Sequence, residues 1–257
     1  MKLATFNVNG ITRRLAHLLV WLEREAPDIV CLQELKALDT AFPVNDLKRA
    51  GYGALWRGQR SWNGVAVLGK GVQPREIRRG LPGNAADEQS RYLEVEVHGL
   101  VVACLYLPNG NPQPGPKFDY KLAWFDRLIE HAATLYASPG PVALVGDFNV
   151  VPTDFDIYNP RSWKRDALLQ PQSRSRYERL LAQGWTDALR AFHPSEAKLY
   201  TFWDYTAGCW QRDLGFRLDH LLCSPEAADR LEGAGVDRWA RAQDKASDHA
   251  PTWIELA

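Results

Sequence analysis

The sequence has no long hydrophobic run and no excess of charge of either sign. Its apolar stretches fall far short of the ~20 residues that a bilayer-spanning helix needs. Met1 and Lys2 lead directly into a strand-like segment instead of a secretory signal. We therefore expect a cytoplasmic protein without a membrane partner. Lysine and arginine total 31, as do aspartate and glutamate, so any surface that binds a polyanion must be local.

Cysteines are few and widely separated. The four are Cys31, Cys104, Cys209 and Cys223, and no two have the spacing of a metal-binding or redox motif. Three of them lie in apolar strand-like runs, so we predict that they are reduced core residues. A linker rich in proline, glycine or serine is also lacking. We therefore expect a single domain that covers residues 1–257. We also expect the protein to act as a monomer.

A short apolar run in the second half of the chain ends in polar residues. Val142 to Val145 has the length and the β-branched members of a buried strand, and it stops at Gly146. Asp147 and Asn149 therefore follow the carboxyl end of this strand, where ligands bind in sheets that are covered by helices. A carboxylate and an amide two residues apart suit a hard cation or a phosphate. Taken alone, the pair can equally shape a turn after the glycine.

The same pattern recurs at other predicted strands. Asn7 follows the apolar segment at residues 3–6, Glu34 follows the segment at residues 29–32, and Tyr106 lies near the end of the segment at residues 100–107. Each is a polar side chain at the terminus of a strand. Their repetition indicates a site at the rim of the sheets, since a single such residue is common at any surface.

Helical segments separate these strands. Leucines fall on one face of the segment after Thr12, which Pro27 closes, and Lys117 to Tyr136 carries a second helical period. Strands therefore alternate with helices in each half of the chain. This order predicts an α/β fold in which two sheets pack face to face with helices outside, with a doubly wound single sheet as the alternative.

Three further segments carry predictions. Gly71 to Gln89 is polar and rich in glycine and proline, so we predict a loop. We expect His131 to lie in solvent, on the polar side of its helix. Pro152 to Gln172 is too irregular for a helix or a strand and is long enough for a functional loop.

Two late segments each combine aspartate with histidine. Asp219 and His220 are neighbours in a predicted strand, so they point to opposite faces and only one of them can belong to a given site. Asp248 and His249 lie in a loop before the last strand, where both can point the same way.

One segment is locally basic. Between Arg161 and Arg179, six lysine and arginine residues outnumber Asp166 and Glu178. This segment is a candidate face for nucleic acid.

Seven motifs, taken in order, resemble the exonuclease III family of abasic-site endonucleases. They are FNVNG at 6–10, LQELK at 32–36, YLPNG at 106–110, GDFN at 146–149, TFW at 201–203, FRLDH at 216–220 and SDHAP at 247–251. The resemblance covers essentially the whole chain. It implies the four-layered α/β/β/α sandwich that this family shares with deoxyribonuclease I, which agrees with two packed mixed sheets and outer helices.

The resemblance also implies a metal site. Glu34 would be the main ligand of Mg²⁺, or alternatively of Mn²⁺, with Asn7 and Asp248 beside it. A cation with few protein oxygens keeps positions open for phosphate and water. Asn9 stands where some relatives have an acid, so the metal site would carry one fewer negative charge.

By the same resemblance, five residues would be catalytic. Asp147 would activate or position the attacking water or protonate the leaving group, and Asn149 would orient that water and donate to a phosphoryl oxygen. Asp219 would fix the tautomer of His249 and favour its imidazolium, which makes His249 a general base or a cationic clamp for the phosphate. Tyr106 would stabilise the transition state through a hydrogen bond.

The implied substrate is duplex DNA with abasic sites or 3′ ends. Asn109 would hold the phosphate backbone, while Trp203, or Phe202 beside it, would form the pocket for an extrahelical sugar together with Phe216. The expected reaction is cleavage 5′ to abasic sites, with 3′–5′ exonuclease and 3′-phosphatase or phosphodiesterase activity. The alternatives are a phosphoesterase for inositol phosphates or phospholipids, and a non-catalytic DNA-binding module.

Overall fold

Twelve strands and seven α-helices form the fold, and the computed structural model describes residues 1–257. The strands are β1 (Lys2–Asn7), β2 (Ile29–Gln33), β3 (Tyr52–Arg57), β4 (Val65–Lys70), β5 (Arg75–Arg79), β6 (Tyr92–Val97), β7 (Leu100–Tyr106), β8 (Val142–Asp147), β9 (Thr186–Asp187), β10 (Asp219–Cys223), β11 (Leu231–Val236) and β12 (Thr252–Leu256).

Seven α-helices connect or flank these strands. They are α1 (Ile11–Glu25), α2 (Val44–Arg49), α3 (Pro116–Tyr136), α4 (Pro171–Leu181), α5 (Ala188–Phe192), α6 (Pro225–Ala228) and α7 (Arg238–Arg241). Short 3₁₀ helices lie at Asp39–Ala41, Asp154–Asp156 and Pro160–Trp163. None of the helices has the length and apolar character required to span a bilayer.

The strands form two six-stranded mixed sheets. The first has the order β11-β12-β1-β2-β4-β3 and the second the order β5-β6-β7-β8-β10-β9. In each sheet one central pair is parallel, β1 with β2 and β7 with β8, and helices α1 and α3 make the crossovers. The remaining pairs are antiparallel.

The period of two along each strand creates separate cores on the two faces of each sheet. Leu3 and Cys31 pack between the sheets with Val145 of β8 and Cys104 of β7. The alternate residues of the first sheet pack against the leucines of α1, and those of the second sheet pack against α3 and α4. The molecule is therefore the predicted four-layered α/β/β/α sandwich. All four cysteines are buried and unpaired, including the three that were predicted to be reduced core residues.

Two local predictions were wrong. The segment predicted as a loop at residues 71–89 contains β5, an edge strand that pairs with β6. All of its residues are exposed, so it lacks the apolar face by which a strand is recognised. His131 is 9% exposed instead of solvated, and its Nε2 lies 2.8 Å from Oε2 of the buried Glu94. A charged residue hidden in β6 thus supplies a partner that the helical pattern does not reveal.

The long segment before α4 is ordered around one buried carboxylate. Oδ1 of Asp156 accepts hydrogen bonds from Nε of Arg217 at 2.7 Å and from Nη2 of Arg190 at 2.6 Å. Its Oδ2 accepts from the backbone N–H of Thr153 at 3.1 Å, which closes a capping box, and from the hydroxyl of the same residue at 2.8 Å. Burial opposes ionisation, but the two guanidinium groups outweigh it and lower the pKa of Asp156. This ion pair fixes the segment against the strand that carries Asp219.

We expect Asp156→Asn to lower the free energy of unfolding by roughly 3 kcal/mol at neutral pH, because it leaves buried guanidinium groups without a counter-charge. The contribution of the carboxylate is present above its unfolded pKa of about 3.9 and disappears as the pH falls towards the lower folded value. Urea unfolding from pH 7 to pH 3 should therefore show the difference between the two proteins beginning to shrink below about pH 4. A difference that is constant with pH would contradict this role.

Candidate active site

Strand register brings three predicted residues side by side. In the second sheet Asp147 of β8 pairs with Tyr106 of β7 on one side and with Asp219 of β10 on the other. Side chains at paired positions point to the same face of a sheet. This face is the inner one, towards the first sheet, where β1 ends at Asn7 and β2 leads into Glu34.

Asp147 is the centre at which the two sheets meet. It is 1% exposed, and its Oδ2 accepts a hydrogen bond from Nδ2 of Asn7 at 2.9 Å. Its Oδ1 accepts from the backbone N–H of Asn149 at 2.8 Å. Nε2 of His249 lies 3.8 Å from Oδ2. Burial, together with Asp219 and Glu34, raises the pKa of Asp147 to about 7 against the opposing effect of His249.

His249 and Asp219 form a buried ion pair. Nδ1 of His249 lies 2.8 Å from Oδ2 of Asp219, as the sequence predicts. Burial alone would lower the pKa of His249, but the negative charges of Asp219, Asp147 and Asp248 raise it to about 10. The imidazole is therefore protonated at neutral pH. Oδ1 of Asp219 is buried and has no hydrogen-bond partner, so it remains available as an acceptor.

Glu34 lies at the entrance to this buried cluster. Its Oε1 accepts hydrogen bonds from Nδ2 of Asn7 at 3.0 Å and from the hydroxyl of Tyr106 at 2.8 Å. Its Oε2 lies 2.8 Å from Nζ of Lys36. Burial opposes ionisation, but Lys36 and Asn7 outweigh it and lower the pKa of Glu34, which stays a carboxylate. Burial and the charges of Glu34 and Asp147 raise the pKa of Tyr106, so its hydroxyl remains a donor.

A groove of about 950 Å³ opens beside Glu34. Glu34 and Asp248 both line it, and carboxylate oxygens are the ligands that Mg²⁺ prefers. Nδ2 of Asn9 donates to Oδ1 of Asp248 at 2.9 Å, and Oδ1 of Asn9 accepts from Nζ of Lys36. The donor set therefore fits a hard divalent cation. In the structure the ammonium of Lys36 pairs with Glu34, and the amide N–H of Asn9 donates to Asp248.

A second acidic group lies deeper. Ligand atoms of Asp147, Asp219 and His249 all fall within 4.8 Å of one another. This group does not coincide with the three metal ligands predicted from the sequence. Because its histidine is protonated and paired with Asp219, it offers a metal only its carboxylates. The groove around Glu34 is therefore the better candidate for a metal centre.

The two predicted phosphate-binding amides are also neighbours. Nδ2 of Asn109 donates to Oδ1 of Asn149 at 3.2 Å, and Nδ2 of Asn149 donates to the carbonyl of Leu107 at 2.8 Å. Asn109 is exposed in the groove, whereas Asn149 is buried and has a left-handed backbone with φ 46°. Its backbone N–H, which donates to Oδ1 of Asp147, holds this turn against the buried carboxylate.

Trp203 and Phe216, the aromatic residues predicted to contact DNA, are buried in the structure. Trp203 is fully buried, and its indole donates to Asp213 at 3.1 Å. Because it is buried, it offers no surface to DNA; it supports the loop that follows it. Phe202, the alternative beside it, is partly exposed and contacts the ring of His249 edge-on at 4.9 Å.

Phe216 stacks on Phe202 but is covered from the other side. It is 2% exposed, since Trp163 lies edge-on against it at 4.8 Å and Tyr158 stacks on it at 5.9 Å. Both covering residues belong to the segment at residues 152–172, which was expected to form a functional loop. Phe202 and Phe216 therefore contact each other directly, and Trp163 and Tyr158 cover the remaining surface of Phe216.

Part of the predicted basic face is neutralised by salt bridges. Arg174 pairs with Asp154, and both Arg176 and Arg179 pair with Asp126. The three remaining cations of that segment are exposed, namely Arg161, Lys164 and Arg165.

Several supporting residues were not predicted. The hydroxyl of Thr201 accepts from the backbone N–H groups of Leu218 and Asp219 at 3.0 and 3.1 Å. The hydroxyl of Ser247 donates to the carbonyl of Asn7 at 2.6 Å and accepts from the N–H of His249. Both residues lie within the TFW and SDHAP motifs, so motif membership was the available signal.

Comparison with known proteins places the chain in a class of phosphoester-cleaving enzymes. The model of the endonuclease/exonuclease/phosphatase family matches residues 4–249. The chain belongs to this family.

Relatives within the family match along the full chain. The exodeoxyribonuclease III of Haemophilus influenzae is 34% identical, with complete coverage of both chains. A solved 3′ phosphatase from Neisseria, bound to a product DNA hairpin, is 38% identical with a TM-score of 0.96, over 100% of this chain and 99% of that one. A solved AP endonuclease from Archaeoglobus fulgidus is 34% identical with a TM-score of 0.95, over 100% and 99%. The resemblance to the exonuclease III family is thus confirmed.

We expect Asp219→Asn to lower the pKa of His249, because burial then outweighs the remaining negative charges. Imidazole nitrogen signals followed by NMR from about pH 5 to pH 9 should stay those of a protonated ring in the parent protein and titrate in the variant. The signals of the exposed His98 should be the same in both and serve as the control. A parent His249 that titrates below pH 8 would refute the ion pair.

Proposed function

We propose that the chain is a divalent-metal-dependent DNA repair hydrolase. It cleaves the phosphodiester 5′ to abasic sites in duplex DNA and removes nucleotides, phosphates and other blocking groups from 3′ ends. The names of the full-length relatives support both activities. The observation that carries the proposal is the buried carboxylate of Asp147, which hydrogen-bonds to Asn7 and lies 3.8 Å from the protonated His249.

Mg²⁺ is the proposed cofactor, with Mn²⁺ able to substitute. Glu34 would be its main ligand, assisted by Asp248, since carboxylate oxygens are hard donors. Asn7, the third predicted ligand, would have to turn its amide, because its Nδ2 donates to Glu34 and its oxygen accepts from the backbone N–H of Asn9. When bound, the cation supplies Lewis-acid neutralisation of the scissile phosphate. Lys36 compensates the charge of Glu34 before the metal arrives.

The remaining groups divide the proton chemistry. With a pKa near neutrality, Asp147 can take a proton from water or return one to a leaving oxygen. Its hydrogen bond from the backbone of Asn149 fixes the direction of the free lone pair, and the amide of Asn149 orients the water. His249 presents a fixed positive charge to the phosphate, held in place by Asp219. Tyr106 donates its hydroxyl hydrogen towards the charge that develops.

The groove supplies contacts to the DNA backbone. Lys36, Arg91 and Lys117 line it together with the exposed amide of Asn109, so a phosphate meets cations and a donor there. We assign the wall of the sugar pocket to Phe202 in place of Trp203, with Phe216 behind it. Abasic nucleotides leave the helix readily because they have already lost base stacking and pairing.

We also propose that the protein acts as a monomer in the cytoplasm. All residues assigned to the reaction come from a single chain. Four buried and unpaired cysteines suit a reducing compartment.

The proposal is tested with labelled duplexes that carry an abasic analogue, a 3′-phosphate or a recessed 3′ end, incubated with Mg²⁺ or with EDTA. We expect metal-dependent cleavage that leaves a 3′-hydroxyl. A protein that binds duplex while cutting none of the substrates would instead be a DNA-binding module. Phosphate release from inositol polyphosphates or phospholipid headgroups, with all duplexes intact, would favour the other phosphoesterase reading.

We expect Glu34→Ala and Asp147→Ala to fail in different ways. Without Glu34 the metal concentration for half-maximal rate should rise by at least about tenfold. Without Asp147 the rate should fall by roughly 10²- to 10⁴-fold even at saturating metal, because proton transfer is lost. Glu23→Ala removes an exposed carboxylate of α1 and serves as the matched control. Normal turnover by either site variant would remove its assigned role.

We expect Trp163→Ala to favour abasic cleavage over 3′-phosphate removal by roughly tenfold, because it uncovers Phe216. An extrahelical sugar needs that space, whereas a terminal phosphate does not. The ratio of the two rates, measured on matched duplexes, cancels general effects on folding. Phe155→Ala removes an exposed aromatic of the same segment that does not contact Phe216 and should leave the ratio unchanged. An unchanged ratio in Trp163→Ala would show that the covering ring does not restrict the substrate.

A further inference from the structure

A fully buried lysine lies beneath the proposed phosphate site and has no role in the chemistry assigned so far. Lys121 belongs to α3 and is 0% exposed. Its Nζ donates to the carbonyl of Asn109 at 3.0 Å and to the carbonyl of Asn149 at 2.5 Å. Both partners are backbone oxygens, so its charge is not matched by a paired carboxylate.

The stem of the lysine is built into the fold. A Cβ on Gly110 would lie 2.6 Å from Cδ of Lys121, and Gly110 has a φ of +91°. Only glycine therefore lets the YLPNG turn pass this closely over the side chain. The turn and the helix therefore fit together only while Gly110 lacks a side chain and Lys121 keeps this position.

The two carbonyls belong to the residues that present the proposed phosphate donors. Asn149 is fixed on its N–H side by Asp147 and on its carbonyl side by Lys121. Asn109 is fixed on its carbonyl side by the same ammonium, and its side-chain amide donates to that of Asn149 at 3.2 Å. One side chain thus connects the two turns that carry both amides.

We propose that Lys121 is a positioning residue for the hydrolysis reaction: it connects the Asn109 and Asn149 turns and so sets the direction of both amides towards the phosphate. This inference rests on the proposed nuclease function. Burial lowers the pKa of Lys121 to about 7, opposed by the charges of Asp147 and Asp166. As an ammonium or as an amine the group keeps at least two N–H donors, so both contacts persist through the neutral range.

The test compares Lys121→Met with Lys48→Met in single-turnover cleavage of a 3′-phosphate duplex at saturating Mg²⁺. Methionine keeps most of the stem volume but removes both hydrogen bonds. We expect Lys121→Met to slow the reaction by roughly 10- to 100-fold. Its affinity for the same duplex in EDTA, measured by fluorescence anisotropy, should change by less than about threefold. Lys48 is exposed on α2 and does not line the groove, so its variant should leave both the affinity and the saturated rate nearly unchanged.

A double-variant comparison separates positioning from general support of the fold. If Lys121 acts through the amide of Asn149, adding Lys121→Met to Asn149→Ala should slow the reaction much less than it slows the parent. An equal factor in both backgrounds, or a full rate in Lys121→Met, would overturn the proposal. If Lys121→Met does not fold, as judged from its melting curve, Lys121→Gln replaces it in the same comparison. A parent protein that cuts no duplex would refute the nuclease function instead, before the variants are compared.

Discussion

The site depends on burying several negative charges together at the junction of two sheets. Asp147 and Asp219 are at most 1% exposed, and Glu34 lies beside them. Such a cluster is stable only when donors and opposite charges surround it. The imidazolium of His249 and the amide of Asn7 supply these within the cluster, while Lys36 supplies them at its entrance. The raised pKa of His249 and the lowered pKa of Glu34 follow from these neighbouring charges and donors.

The pleat and the register of the sheets explain why these residues meet. Tyr106, Asp147 and Asp219 are neighbours because β7, β8 and β10 pair at those positions. In the first sheet, β1 and β2 are parallel and end together, which places Asn7 next to Glu34. A shift of any of these strands by one residue would turn its polar side chain to the opposite face.

Much of this arrangement was accessible from the sequence, because apolar runs of strand length with a polar terminus recur in it. The sandwich and the grouping of Asn7, Glu34, Asp147 and His249 follow from that pattern together with the resemblance. What escaped prediction depends on contacts between distant segments. Edge strand β5 lacks an apolar face, and the buried His131 pairs with Glu94, which lies on a distant strand. Trp203 packs inward while its neighbour Phe202 reaches the site, a choice that residue type does not determine.

The division of the site between two sheets has a consequence during synthesis. Asn7 and Glu34 belong to the sheet that also needs β12 near the end of the chain, whereas Asp147 and Asp219 belong to the other. A nascent chain in which one layer has formed therefore holds only half of the constellation. The complete set of site residues is therefore assembled only when the two layers pack together.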